Sequence, residues 1–121
     1  VAAAAQQRAA AIEAVLAAPD VKVFSMRANG GTINVAVARS RNQAVAVLND
    51  MPPLGPDKVY QLWMIGDSGA RSPGPLDVGQ TAGAQVLEVG NAALFGISVE
   101  PRAGSATPTQ DAVLATVAIA S

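Results

Sequence analysis

From Asp20 onward the chain is a succession of short segments rich in Val, Ile and Thr, each closed by Gly, Pro, Asn or Asp. This constrains the fold more than any other feature. Turn residues recur too often for helices to form between them, and alternating β-branched runs of about 4–8 residues read as strands joined in antiparallel fashion. Val21 to Arg27 alternates Val21, Val23 and Ser25 with Lys22, Phe24 and Met26, and Asn29-Gly30-Gly31 reads as a turn that needs positive φ. Thr32 to Ala38 carries Ile33, Val35 and Val37 on one face and Asn34, Ala36 and Ala38 on the other. Arg39-Ser40-Arg41-Asn42 returns the chain into Ala44 to Leu48, which makes a hairpin.

Asn49 to Lys58, with three Pro, one Gly and two Asp, reads as a crossover loop. Val59 to Ile65 is apolar on both faces, with Tyr60, Leu62 and Met64 pointing one way and Val59, Trp63 and Ile65 the other, so it is expected as a central strand. Gly66 to Gly83 holds five Gly and two Pro and is expected to be a long, mobile excursion with a short edge strand near Leu76. Gln85 to Val89, Ala92 to Glu100 and Ala112 to Ala120 complete a set of about seven or eight strands, the pattern of an all-β antiparallel sandwich. Before Asp20, the Ala-rich stretch Ala2 to Ala18 predicts one helix, with Ile12, Val15 and Leu16 on its apolar face and Pro19 as its stop.

The 121 residues suffice for one domain. Half are hydrophobic, but much of that is Ala and Val, and the aromatic residues are Phe24, Tyr60, Trp63 and Phe95. Tyr60 and Trp63 are therefore expected as core anchors, on opposite faces of their strand. Eight basic against nine acidic residues, with no basic run, exclude the electrostatic footprint of a nucleic-acid binder. Without His or Cys the chain has no usual zinc ligand, no thiol nucleophile, no His-dependent hydrolase constellation and no disulfide. The acids Asp50, Asp57, Asp67 and Asp77 lack the spacing of a calcium loop, and Gly66-Asp67-Ser68-Gly69-Ala70-Arg71 lacks the ending of a phosphate loop. No catalytic residue, cofactor or metal is expected. No apolar run of about 20 residues is present, because Gln6, Gln7, Arg8 and Glu13 interrupt the Ala-rich start. Opening at Val1 without an initiator Met, the chain is expected to be a piece of a longer protein.

Among the polar residues Glu100 stands out. It ends a strand just before Pro101 and faces the loop Arg102-Ala103-Gly104-Ser105-Ala106-Thr107-Pro108-Thr109, whose N–H groups at Gly104 or Ser105 its carboxylate can accept. A brace for that loop is the expected role, since a carboxylate without a partner base does little chemistry. Gln61, on the Trp63 face, is expected to satisfy its amide on backbone groups.

Lys58-Val59-Tyr60-Gln61-Leu62-Trp63-Met64-Ile65, read with Ile97-Ser98-Val99-Glu100-Pro101 and the loop to Pro108-Thr109, resembles the C-terminal, extracytoplasmic domain of the anti-sigma-K factor family. The likeness runs from Ala18-Pro19-Asp20-Val21 to Thr109, and its signature residues here are Tyr60, Gln61, Leu62, Trp63, Glu100, Pro101, Gly104, Ser105, Pro108 and Thr109. It implies a membrane-spanning regulator whose cytoplasmic segment, absent from this chain, holds a sigma factor, with a transmembrane helix, also absent, and this domain on the extracytoplasmic side of the bacterial membrane. It implies further that residues 1–18 form a juxtamembrane stalk, that residues 19–121 form the sandwich, and that a protease acting near the membrane releases the sigma factor. An extracytoplasmic ligand is left unspecified. A secreted or surface β-sandwich that binds an unknown ligand or protein partner is the alternative reading, and an enzyme is disfavoured.

Overall fold

The computed structural model describes residues 2–119, with backbone alone at residues 2–5 and 8. Strand β1 (Lys22–Ala28) turns into β2 (Gly31–Ala38) through Asn29 and Gly30, at φ 53° and 90°. Two successive positive φ values suit the right-handed twist of a two-residue hairpin, which is why Asn-Gly is used there. Gly31 is needed for another reason. A Cβ on it would lie 2.5 Å from Met51 Sδ and 2.9 Å from Met51 Cα, so the crossover loop packs directly on its backbone.

After a 3-10 turn at Arg39–Arg41, Asn42 takes a left-handed φ of 56° and leads into β3 (Gln43–Asn49). The first sheet is completed by β6 (Gly83–Glu88), in the order β1-β2-β3-β6. The second has β4 (Lys58–Gly66) and β7 (Leu94–Pro101) at its centre, flanked by β5 (Gly69–Arg71) and β8 (Val113–Ala118), in the order β5-β4-β7-β8. All pairings are antiparallel, and the two four-stranded sheets form a β-sandwich with one helix. The expected end of the last strand at Ala120 lies outside the described residues.

Period-two alternation sets the core. Ile33, Val35 and Val37 of β2 and Ala44, Ala46 and Leu48 of β3 meet Tyr60, Leu62 and Met64 of β4 and Phe95 and Ile97 of β7. Arg39 crosses between the layers, its Nη2 donating to the carbonyls of Ala92 at 2.9 Å and Ile119 at 3.3 Å. The excursion after β4 differs from expectation. Its short strand is Gly69–Arg71, and near Leu76 the chain makes an isolated bridge, Gln61 with Pro75, while Leu76 N–H donates to Tyr60 O at 2.9 Å and its side chain enters the core. One large apolar residue is enough to pin the middle of this Gly- and Pro-rich segment.

Helix α1 (Ala2–Ala17) lies on the outer face of the first sheet. Val15 and Ala18 are buried against Ala36, Ala38 and Val45, with Ile12 beside them. Leu16, expected on the same face, is 55% exposed. Positions 12, 15 and 18 define a seam at three-residue spacing, and residue 16 falls about 100° around the helix from it. The seam is apolar but small, so Ala supplies close approach rather than area.

Gly31→Ala should lower stability by about 1–3 kcal/mol, the cost of forcing atoms into a filled site, because Met51 and its backbone would have to move. Gly55→Ala, with nothing within 4 Å of the added Cβ, should be neutral or slightly stabilising. Urea unfolding of the two variants measures both.

Candidate functional site

The outer face of the second sheet is where polar residues gather. On β7, Phe95, Ile97 and Val99 point into the core, leaving Gly96, Ser98 and Glu100 on the other side. On β4 the outward residues are Val59, Gln61 and Trp63, in register with Glu100, Ser98 and Gly96 respectively. This face is not solvated. Val59, Gln61, Trp63, Ser98 and Glu100 are all buried, because residues 72–75 and the loop after β7 fold back over them.

Trp63 is buried, as expected of an aromatic on a central strand, but it does not lie between the sheets. Its side chain is 1% exposed but sits outside the inter-sheet cluster, under the loops and across from Gly96, an outward position with no side chain of its own. Its indole Nε1 donates to Ser98 Oγ at 2.8 Å, and Ser98 Oγ in turn donates to Glu100 Oε2 at 2.5 Å. Thr109 N–H donates to the same oxygen at 2.9 Å, while the hydroxyls of Ser105 and Thr109 donate to Oε1 at 2.8 and 2.7 Å. Gln61 completes the brace. Its Nε2 donates to Ser105 O at 3.1 Å and its Oε1 accepts from Ser105 N–H at 3.0 Å.

Gly104 lets the loop descend this far. It has φ 82°, and a Cβ on it would lie 2.9 Å from Pro75 Cδ and 3.2 Å from Gln61 Oε1. Between the two loops remains a cavity of about 360 Å³ lined by Gln61, Trp63, Pro73, Pro75, Gly104 and Ser105 among others.

The structure thus brings together Gln61, Trp63, Glu100, Gly104, Ser105 and Thr109. Tyr60 and Leu62 face the opposite way, into the core, where Tyr60 Oη donates to Pro52 O at 2.5 Å and burial raises its phenol pKa. Pro101 ends β7 exposed, opposite Lys58, and Pro108 is half-buried in the loop. Ser98 carries no expected role from the sequence alone. Its signal is a small hydroxyl two residues before Glu100, on the same outward face, in an otherwise apolar strand.

Electrostatically, Glu100 is a buried carboxylate with no cation as partner in its set of contacts. Desolvation pushes its pKa up, but the donors Ser98, Thr109 through side chain and backbone, and Ser105 outweigh it and hold the pKa below the ordinary value. Each oxygen already accepts two hydrogen bonds. No lone pair is left for a substrate proton, and the depressed pKa makes it a poor base. Among the described residues no group of three or more acidic side chains is placed to hold a metal ion. The chemistry of this constellation is that of a brace.

Comparison with known proteins gives a consistent set of relatives. The family model for the C-terminal region of the anti-sigma-K factor matches residues 1–113. The anti-sigma-K factor RskA of Mycobacterium ulcerans (strain Agy99) is 41% identical over 100 residues, covering 80% of this chain and 43% of that protein. The protein of the same name from Mycolicibacterium vanbaalenii is 38% identical over 101 residues, 80% of this chain and 42% of its own length. An uncharacterized protein in the phr 5' region of Streptomyces griseus is 39% identical over 112 residues, 90% of this chain and 47% of that protein. The chain spans less than half the length of these curated relatives. No solved structure matches it.

Glu100→Gln should lower stability by about 1–3 kcal/mol at neutral pH. The Ser105 and Thr109 hydroxyls can rotate to accept from the new amide, so the loss comes from the charge rather than from steric conflict. Because the folded pKa of Glu100 is depressed, its contribution is present above the unfolded value of about 4.3 and is lost as pH falls through the folded value. The stability difference between wild type and Glu100→Gln, measured by denaturant unfolding, should therefore be constant above about pH 5 and shrink below about pH 4.

Proposed function

The chain belongs to the anti-sigma-K factor C-terminal family, and from that membership we propose that it is the regulatory domain of a membrane-spanning anti-sigma factor. In this reading the sandwich stands on the extracytoplasmic side, and a cytoplasmic segment outside this chain keeps a sigma factor inactive. A protease acting near the membrane ends the inhibition, and the folded state of the domain decides whether it can. Residues 1–18 are the stalk between membrane and sandwich.

The observation that carries this reading is the docking of α1. Val15 and Ala18 are buried against Ala36, Ala38 and Val45, so the last turns of the stalk are held by the sheet itself. An Ala-rich helix of 16 residues is marginal alone in water, so its persistence depends on that contact. Proteases bind extended backbone, and a docked helix must first undock and unwind. Loss of the sandwich's fold, or of the seam alone, then exposes the stalk. The Glu100 constellation, saturated with donors, serves as a brace, in keeping with a regulatory part.

The test uses the full-length protein in cells with a sigma-dependent reporter and an immunoblot for shortened forms. Trp63→Ala removes a buried aromatic and should cost about 3–5 kcal/mol, much of a small domain's stability. Val15→Asp places a charge in the α1 seam and should undock the helix while leaving the inter-sheet core intact. Both should raise reporter output and yield a shortened protein. An unchanged reporter with the Trp63→Ala domain shown to be unfolded would remove this role and favour a secreted or surface binding module instead.

A further inference from the structure

A sandwich has four sheet edges, and here they are treated unequally. β1 carries Lys22 and Arg27, β5 is three residues long and ends in Arg71, and β6 carries Glu88. Charges and shortness are the usual means of keeping an edge from pairing with another chain. β8 has neither. Val113–Ala118 is uncharged, free of Pro and Gly, and rich in β-branched residues; a bulge at Leu114 interrupts it, β1 of the other sheet packs beside it, and among the described residues its ladder partner is β7 alone.

The side chains along the same flank are incompletely covered. Phe24 and Met26 of β1 and Leu114 and Val117 of β8 all pack on the core yet remain partly exposed. Val113 is 37% and Val23 63% exposed. We propose that this flank is an interface between two copies of the chain, in which β8 pairs antiparallel with β8 of the second copy and joins the two second sheets into one eight-stranded sheet.

A second copy fits by both geometry and charge. A two-fold axis normal to the sheet and passing near Thr116 reverses strand direction while keeping the same side chains on the same face, so Ala115 and Val117 of one copy meet Val117 and Ala115 of the other. An uncharged strand meets itself without like-charge repulsion. The flanking charges are complementary: Asp111 precedes β8, whereas Lys22 lies beside Ile119 just past its other end, in a small cavity lined also by Arg39 and by Asp20, whose carboxylate already accepts from the Ser40 N–H and hydroxyl. Antiparallel pairing brings Asp111 of each copy toward Lys22 of the other. Both are exposed, and neither is in the ion pair that the described residues form.

Sedimentation velocity of the 121-residue chain over a concentration series reads the association. The wild type should dimerise. Thr116→Lys, whose side chain starts on the outer face beside Gly96, sets like charges near the two-fold axis and should weaken the dimer roughly tenfold or more with the melting of the monomer unchanged. Asp111→Lys should weaken it as well, and Asp111→Lys combined with Lys22→Asp should restore it. A wild type that stays monomeric at all concentrations overturns the proposal and leaves the edge for an extended strand of another protein. A dimer indifferent to Thr116→Lys and to the charge reversals overturns it too, because association would then use a different surface.

Discussion

The outer half of this molecule depends on one ionised carboxylate buried without a cation. Burying such a group is tolerable only when its charge is met by directed donors, and Glu100 receives four, from Ser98, Ser105 and twice from Thr109. Three of these come from a loop with no regular structure until the short turn at Gln110–Ala112. The carboxylate is therefore what gives that loop a single shape, and the loop in return is what keeps the carboxylate from water. Trp63, Gln61 and the Pro73–Pro75 segment lie under or against the same cover. Their burial follows from it.

The other half is organised chiefly by apolar contact. The first sheet offers Ala36, Ala38 and Val45 to α1, side chains small enough for a helix backbone to come close, while the opposite face of the same strands fills the inter-sheet core. A helix weak by itself is thus conditional on the sheet beneath it. That conditionality is what a domain needs if its folding state is to govern access to the segment entering it.

Much of the sandwich is legible in the sequence, because alternation over β2 and β7 has one strongly apolar face and Asn29-Gly30 specifies its hairpin. What is not legible is the fate of a face when both are apolar. Around Trp63 the alternation separates it from Tyr60 but does not say which set meets the other sheet, and a loop distant in sequence decides the matter. The role of Ser98 is not legible for the same reason, since it exists only once Trp63 and Glu100 are brought to its two sides. Leu16 shows the limit of reading a helix face from few large residues: the seam runs through the small Ala18 instead. The pairing of Glu100 with its loop is easier to infer, being local in sequence and fixed by strand end and Pro101, but not its backbone donor: the Gly104 and Ser105 N–H groups go to Pro101 O and Gln61 Oε1, and it is Thr109 N–H that reaches the carboxylate.

The most direct test of the claim that Glu100 fastens the loop after β7 into the cooperative fold is native-state hydrogen exchange of the loop amides. Thr109 N–H, bonded to Glu100 Oε2, and Ser105 N–H, bonded to Gln61 Oε1, should exchange with the same opening free energy as the β4 and β7 core amides. In Glu100→Gln both should fall to a lower value while the core amides keep a common one. Fast exchange of Thr109 and Ser105 in the wild type, alongside a protected core, would contradict the account by showing that the loop opens independently of the sandwich.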